Sequence, residues 1–212
     1  MNFSSTRPRI VTIEGNIGAG KTTLINTLKS KYQSRNDVLF LEEPVDVWST
    51  VKQDGKTMLE LFYKDPKKYS FAFQIMAYNT RLKMLDTAIC NANGIKLIIM
   101  ERSLDADKNI FAKMLYDDGM MEDCMYQIYL QMSNEGMLKY MADGILWLDI
   151  DPNTCKKRIQ QRNRDGEENI SLDYLQKCDS YHQEWLSADT GFVFRIHDTP
   201  ELESLERYLF QN

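Results

Sequence analysis

Three observations predict an α/β fold, a five-stranded parallel sheet flanked by helices, for this chain of 212 residues. Five short apolar runs of strand length recur, helical patterns fall between them, and the first run leads directly into a glycine-rich turn that opens a helix. The first strand is "RIVTIEG" from Arg9, and "KTTLINTLKSKY" supplies the helix behind the turn. The second is "VLFLEE" from Val38, followed by a long helical stretch from Pro66 to Ala92. The third is "IKLIIMERS" from Ile95; the connection after it holds "NIFAKMLYDDG" and "EDCMYQIYLQMSNEGMLKYM", whose apolar spacing suits two or three helices. The fourth is "GILWLDI" from Gly144, with "NTCKKRIQQR" from Asn153 as its helix, and the fifth is "FVFRIH" from Phe192. Each run is short and unbroken, as strands covered on both faces require. No repeat, low-complexity tract or Pro/Gly-rich linker interrupts them, so residues 1–212 read as one domain.

Composition narrows the function. A net charge of -5 argues against a general nucleic-acid binder, which needs a basic surface for phosphates, and favours small-molecule partners. Cys90, Cys124, Cys155 and Cys178 lie far apart without a C-x-x-C pair, and His182 and His197 are the only imidazoles, which argues against structural zinc. Met1 to Pro8 reads as a loose polar end rather than a transit peptide, and no apolar run approaches the ~18 residues of a membrane span. A soluble, cytoplasmic protein is expected. Many of the twelve methionines fall between Met114 and Met141, as packing filler or as a dimer face.

The turn reads G-N-I-G-A-G-K-T from Gly15 to Thr22, a phosphate loop in its proper place between strand and helix. Gly15, Gly18 and Gly20 permit the tight path that aims amides at phosphates, Lys21 reaches the outer phosphates, and the Thr22 hydroxyl can hold magnesium. This gives a P-loop fold with Gly15, Asn16, Ile17, Gly18, Ala19, Gly20, Lys21, Thr22 and Thr23 as the nucleotide cradle. Guanine-nucleotide switches should carry D-x-x-G and N-K-x-D, and transporter ATPases Leu-Ser-Gly-Gly; none occurs, which leaves small-molecule kinases.

Ligands gather at the carboxyl ends of parallel strands, which directs attention to Glu42-Glu43-Pro44 and Glu101-Arg102-Ser103. An acid beside the phosphate loop can take a proton from an attacking hydroxyl, and an arginine can steady the moving phosphoryl group. The charged stretch from Lys156 to Asn169, with Arg158, Arg162 and Arg164, is on bare sequence an exposed helix face. "YSFAFQIMAYNTRLKM" is by pattern an amphipathic helix with aromatic residues in the core.

Taken in order, G-N-I-G-A-G-K-T-T, E-P-V with Trp48 after it, "YSFAFQ", E-R-S and "RNRDGEENISLDYL" resemble the deoxynucleoside kinases of the deoxycytidine, deoxyguanosine and insect multisubstrate kind. The resemblance spans nearly the whole chain and implies a P-loop kinase fold with a helical lid at about 156–169. It implies direct transfer of the γ-phosphate of ATP, with Mg²⁺, to a nucleoside 5′-hydroxyl. Glu43 would be the general base, Arg102 the arginine that orients it and contacts phosphate, and Glu101, with Thr22, the magnesium group. Arg158, Arg162 and Arg164 would close over the triphosphate, and Glu167 with Tyr63 would reach the sugar 3′-hydroxyl. Phe73 and Phe111 would sandwich the base, Gln74 would bond its edge, and Trp48 and Phe62 would line the pocket. Arg81 and Asp107 sit where cytidine- and purine-directed members carry this pair. An ionised Asp107 suits the exocyclic amine of cytosine or adenine and repels thymine O4, so deoxycytidine and deoxyadenosine are favoured and deoxyguanosine is admitted. The alternatives are a thymidine-preferring or broad-specificity kinase, a nucleoside monophosphate kinase, and a nucleotide-dependent binding module. One departure stands out: Asp105 occupies the place of an aromatic residue. The family also implies a homodimer through helices holding Phe71 to Ala92 and Asp123 to Met132.

Overall fold

The computed structural model describes residues 7–164, 166–167, 169–187, 192–197 and 202–210. The strands are β1 (Arg9–Gly15), β2 (Val38–Leu41), β3 (Lys52–Gln53), β4 (Lys56–Thr57), β5 (Leu97–Glu101), β6 (Gly144–Leu148) and β7 (Val193–Ile196). The helices are α1 (Lys21–Lys31), α2 (Val45–Thr50), α3 (Met58–Lys64), α4 (Pro66–Cys90), α5 (Leu104–Ala106), α6 (Lys113–Asp117), α7 (Asp123–Lys139), α8 (Pro152–Arg162), α9 (Leu172–Leu186) and α10 (Leu202–Leu209), with a π-helical turn, Asp107–Ala112, between α5 and α6. All five predicted runs became strands of one parallel sheet in the order β2-β5-β1-β6-β7.

Alternation along β1 assembles the core. Val11 and Ile13 join Leu24, Ile25 and Leu28 of α1 on one face, while Ile10 on the other packs with Tyr78 and Leu85 of α4 and Tyr129 of α7. Helices therefore cover both faces, which explains why the buried strands read as unbroken apolar runs. Register aligns the strand ends: Ile13 lies opposite Glu101, Gly15 opposite Leu148, and Leu41 opposite Met100. One edge of the sheet thereby collects the phosphate loop, Glu43 and Glu101-Arg102.

Caps place the helices that frame this edge. Asp65 accepts from the Lys68 amide with Pro66 at the first helical position, which starts the 25-residue α4 cleanly. Thr57 and Glu60 form a reciprocal capping box at the start of α3. Asp151 caps α8 ahead of Pro152, and Asn163, in the left-handed region at φ 47°, ends it. The expected helix from Asn153 thus begins one residue earlier and carries Arg158 and Arg162 within it. The long connection holds α5, the π-helical turn and α6 in series, then α7. No helix among the described residues is long and apolar enough to cross a membrane.

Candidate active site

The phosphate loop takes the backbone path its glycines permit. Gly18 has φ 79°, and a Cβ there would lie 2.5 Å from the Cys155 carbonyl oxygen on α8, so loop and helix touch backbone to backbone. Asn16 is turned into the fold: its Nδ2 donates to the Leu175 carbonyl at 2.8 Å, and its Oδ1 accepts from the Ile17 amide at 2.9 Å. Lys21 Nζ rests on the loop's own carbonyls, donating to Asn16 at 2.8 Å and Gly15 at 3.1 Å. Burial, reinforced by Arg102, lowers its ammonium to about 8. The Thr22 hydroxyl donates to Glu101 Oε1 at 2.9 Å. This pair fits magnesium, which takes one or two protein oxygens and completes its shell with water and phosphates.

Two arginines converge on Glu43. Arg81 Nη2 donates to Glu43 Oε1 in a short contact, and Arg102 Nε reaches the same oxygen at 3.4 Å. Burial alone would raise the Glu43 carboxyl, but Arg81, Arg102, Lys21 and Arg164 outweigh it and hold it at about 2. Arg102 sits in the left-handed region at φ 64°, a strain of about 1–3 kcal/mol that the surroundings must hold. Its guanidinium lies 4.4 Å from the Phe111 ring centroid, its Nη2 reaches the Gly15 carbonyl at 3.4 Å, and its buried Nη1 has no hydrogen-bond partner. An unpaired cationic donor at this point suits an anionic ligand.

The π-helical turn carries both Asp107 and Phe111 into the site, a placement common for such turns. Arg81 Nη1 donates to both Asp107 oxygens, at 2.7 and 2.8 Å, while burial, opposed by Arg81, raises the Asp107 carboxyl to about 6. Gln74 is buried with its Oε1 unpartnered. Phe73 stacks on Phe62 with centroids 4.7 Å apart and meets Trp48 edge-on at 5.5 Å. Tyr63 packs against Phe62, and burial followed by the nearby Glu167 raises its phenol.

On α8, Arg158 Nη1 donates to the Ala19 carbonyl at 2.8 Å, which ties this helix to the loop. Arg162 and Arg164 both clasp Glu167, the latter at 3.1 Å. Two of the three arginines expected for triphosphate and the acid expected for the sugar thus form one ion-pair cluster. Residues 165 and 168 of the stretch lie outside the described residues.

A cavity of about 890 Å³ joins these parts. Every predicted site residue lines it except Gly15 and Asn16. Leu59, Ala77, Tyr174 and Ile150 also line it: the apolar three look like core in the sequence, while Tyr174 falls within "RNRDGEENISLDYL", the stretch that carried the resemblance, although no role was expected of it. Asp105, the departure from the family pattern, lies on α5 with its carboxyl raised to about 6, first by burial and then by Glu14. A carboxyl raised in the folded state costs stability as pH climbs from 3.8 through about 6, and the cost is complete above that window. Asp105→Asn should therefore stabilise the protein at pH 7 by about 1–3 kcal/mol and flatten this stretch of the pH profile, read by urea unfolding at a series of pH values. An unchanged midpoint at pH 7 would show that Asp105 carries no such penalty.

A deoxynucleoside kinase family model matches residues 11–207. A fowlpox virus protein named "Probable deoxycytidine kinase" is 37% identical over 189 residues, covering 88% of this chain and 75% of that one. Human deoxycytidine kinase is 33% identical over 204 residues, covering 85% and 76%. A deoxyadenosine kinase of Dictyostelium discoideum is 36% identical over 184 residues, covering 86% and 69%. With a match over nearly its whole length and relatives above 30% identity, the chain belongs to the deoxynucleoside kinase family.

Proposed function

We propose that this ATP-dependent deoxynucleoside kinase transfers the γ-phosphate to the 5′-hydroxyl of deoxycytidine or deoxyadenosine in one in-line step. The observation that carries the reading is the layout of the cavity. Glu43, Arg102 and Lys21 line the same cavity as Gln74, Arg81 and Asp107, and Arg81 bonds both Glu43 and Asp107. Glu43 accepts the hydroxyl proton as the general base. Phosphoryl transfer through a loose transition state asks more of positioning and charge than of base strength, so a carboxylate held at about 2 is adequate. Arg102, with its free Nη1, meets the charge of the moving group, and Arg162 and Arg164 leave Glu167 to close over the triphosphate. Magnesium would be held by Thr22 and Glu101 and would supply charge neutralisation to the phosphates.

Base choice follows from acceptors. Ionised Asp107 takes an exocyclic N–H, while the Gln74 amide, with its unpartnered oxygen, serves the base edge. A thymine O4 facing Asp107 sets one acceptor against another with no donor between them, which costs about 1–3 kcal/mol. Monophosphate formation with the four deoxynucleosides should give thymidine a kcat/KM about tenfold or more below deoxycytidine. If thymidine leads, Asp107 does not read the base, whereas the phosphoryl transfer chemistry stands.

The chain acts as one domain in this reading, and it pairs as a homodimer through α4 and α7. Ile128 on α7 is 52% exposed, an apolar side chain that such a face would cover. Sedimentation at micromolar concentration should return twice the mass of one chain; a monomer would remove the expectation.

A further inference from the structure

Glu14 stands on β1 as a wholly buried carboxylic residue in the centre of the sheet, on the face that carries Ile10 and Thr12. A strand between two apolar layers has no use for it, and a buried acid without an ion pair costs stability. Its Oε1 accepts from the Ser103 amide at 2.8 Å, and its Oε2 has no hydrogen-bond partner. Ser103 follows Arg102, the residue whose φ of 64° a β-carbon disfavours. The backbone here is fastened on both sides: the Arg102 amide donates to the Ile13 carbonyl at 3.1 Å, and the Ser103 amide is taken by Glu14 one residue further along the same strand. Beyond it the Ser103 hydroxyl accepts from the Ala106 amide at 3.0 Å, which starts α5.

We propose that Glu14 is a positioning residue for catalysis, a side-chain acceptor that pins the backbone after Arg102 and so holds the strained conformation that aims its guanidinium at Glu43 and the phosphate loop. The inference rests on Arg102 acting in the reaction as described above. In the relaxed backbone Arg102 returns to negative φ and its side chain leaves the direction of Gly15 and Phe111. A general base and a phosphate loop then remain in place without their shared arginine. The expected loss is in turnover rather than in substrate binding, because Glu14 lines no part of the cavity.

The test compares Glu14→Gln, Glu14→Met and Arg102→Lys in steady-state assays with deoxycytidine and ATP. Glutamine keeps an acceptor at the same place, and its kcat should stay within about threefold of the parent. Methionine removes the acceptor, and kcat should fall about tenfold or more with both KM values little changed. If Glu14→Met fails to fold, Glu14→Asp serves, since its shorter carboxylate retains charge but falls short of the Ser103 amide; the same fall is expected. A folded Glu14→Met or Glu14→Asp enzyme with parental kcat overturns the proposal, as does a Glu14→Gln enzyme that loses as much as Glu14→Met. Near-normal turnover in Arg102→Lys instead overturns the role given to Arg102, whatever the Glu14 variants do.

Discussion

Glu43→Gln is expected to lower kcat by about 10²–10⁴ while leaving ATP binding nearly intact. The amide is close to isosteric and can still accept at Oε1 from Arg81 and Arg102, so the cavity keeps its shape. What it cannot do is take the proton of the attacking hydroxyl, and both arginines turn part of their charge to no purpose. In the proposed reading the nucleotide is held by Lys21, Thr22 and the loop amides, and neither the Lys21 ammonium nor the Thr22 hydroxyl is hydrogen-bonded to Glu43. Titration calorimetry with a non-hydrolysable ATP analogue and single-turnover kinetics separate the two effects. Retained turnover would remove Glu43 from the role of base. A stability change accompanies the kinetic one. The Glu43 carboxyl is depressed from 4.5 to about 2, so its contribution is fully present above the unfolded value and fades as pH falls through the folded one. At pH 7 the ligand-free variant should lose about 1–3 kcal/mol, and the difference from the parent should narrow below pH 4.5.

How much of this could be read from the chain depends on whether one residue type at one spacing fixes the outcome. The five strands were legible because burial on both faces writes an unbroken apolar run, and the phosphate loop because Lys21 and Thr22 need fixed offsets from three glycines. The two-residue strands β3 and β4 carry only Lys52, Gln53, Lys56 and Thr57, too polar and too short to leave a period. The short helix α3 was missed although Thr57 and Glu60 spell a capping box, a signal that was present in the sequence. In the site, side chains to which chemistry is assigned in the proposed reading announce themselves by type, as Glu43, Arg102 and Asp107 do. Backbone states do not: nothing in E-R-S says that Arg102 adopts positive φ, because arginine has no preference for it. Tertiary partners are equally silent. Asn16 reads as a loop residue facing phosphates, yet its amide is taken by the Leu175 carbonyl 159 residues away. Glu167 and its two arginines were given separate ligands, and only the fold reveals that they hold one another.

Lys21→Met should sharply weaken triphosphate binding and stabilise the ligand-free protein at the same time. The two effects have one cause, a cation buried for a ligand. Lys21 is 6% exposed, its Nζ is held by two backbone carbonyls, and burial reinforced by Arg102 lowers its ammonium from 10.5 to about 8. A lysine lowered in the folded state costs stability wherever it is charged in both states, below about 8, and the cost is relieved as pH rises from there toward 10.5. Methionine fills a similar volume without charge or donor. The two carbonyls then lose a partner, which offsets part of the gain, and the net at pH 7 should be about 1–3 kcal/mol in favour of the variant. That advantage should shrink steadily between about pH 8 and 10.5. Function moves the other way, because among the described residues no other ammonium lines the cavity to meet the outer phosphates, and kcat/KM for ATP should fall about 10²-fold or more. Thermal unfolding without nucleotide, repeated with saturating ATP, reads both. The parent should gain from ATP and the variant much less, so the order of their midpoints narrows or inverts on adding nucleotide. A variant less stable than the parent in the absence of ATP would show that the two carbonyl bonds outweigh burial of the charge.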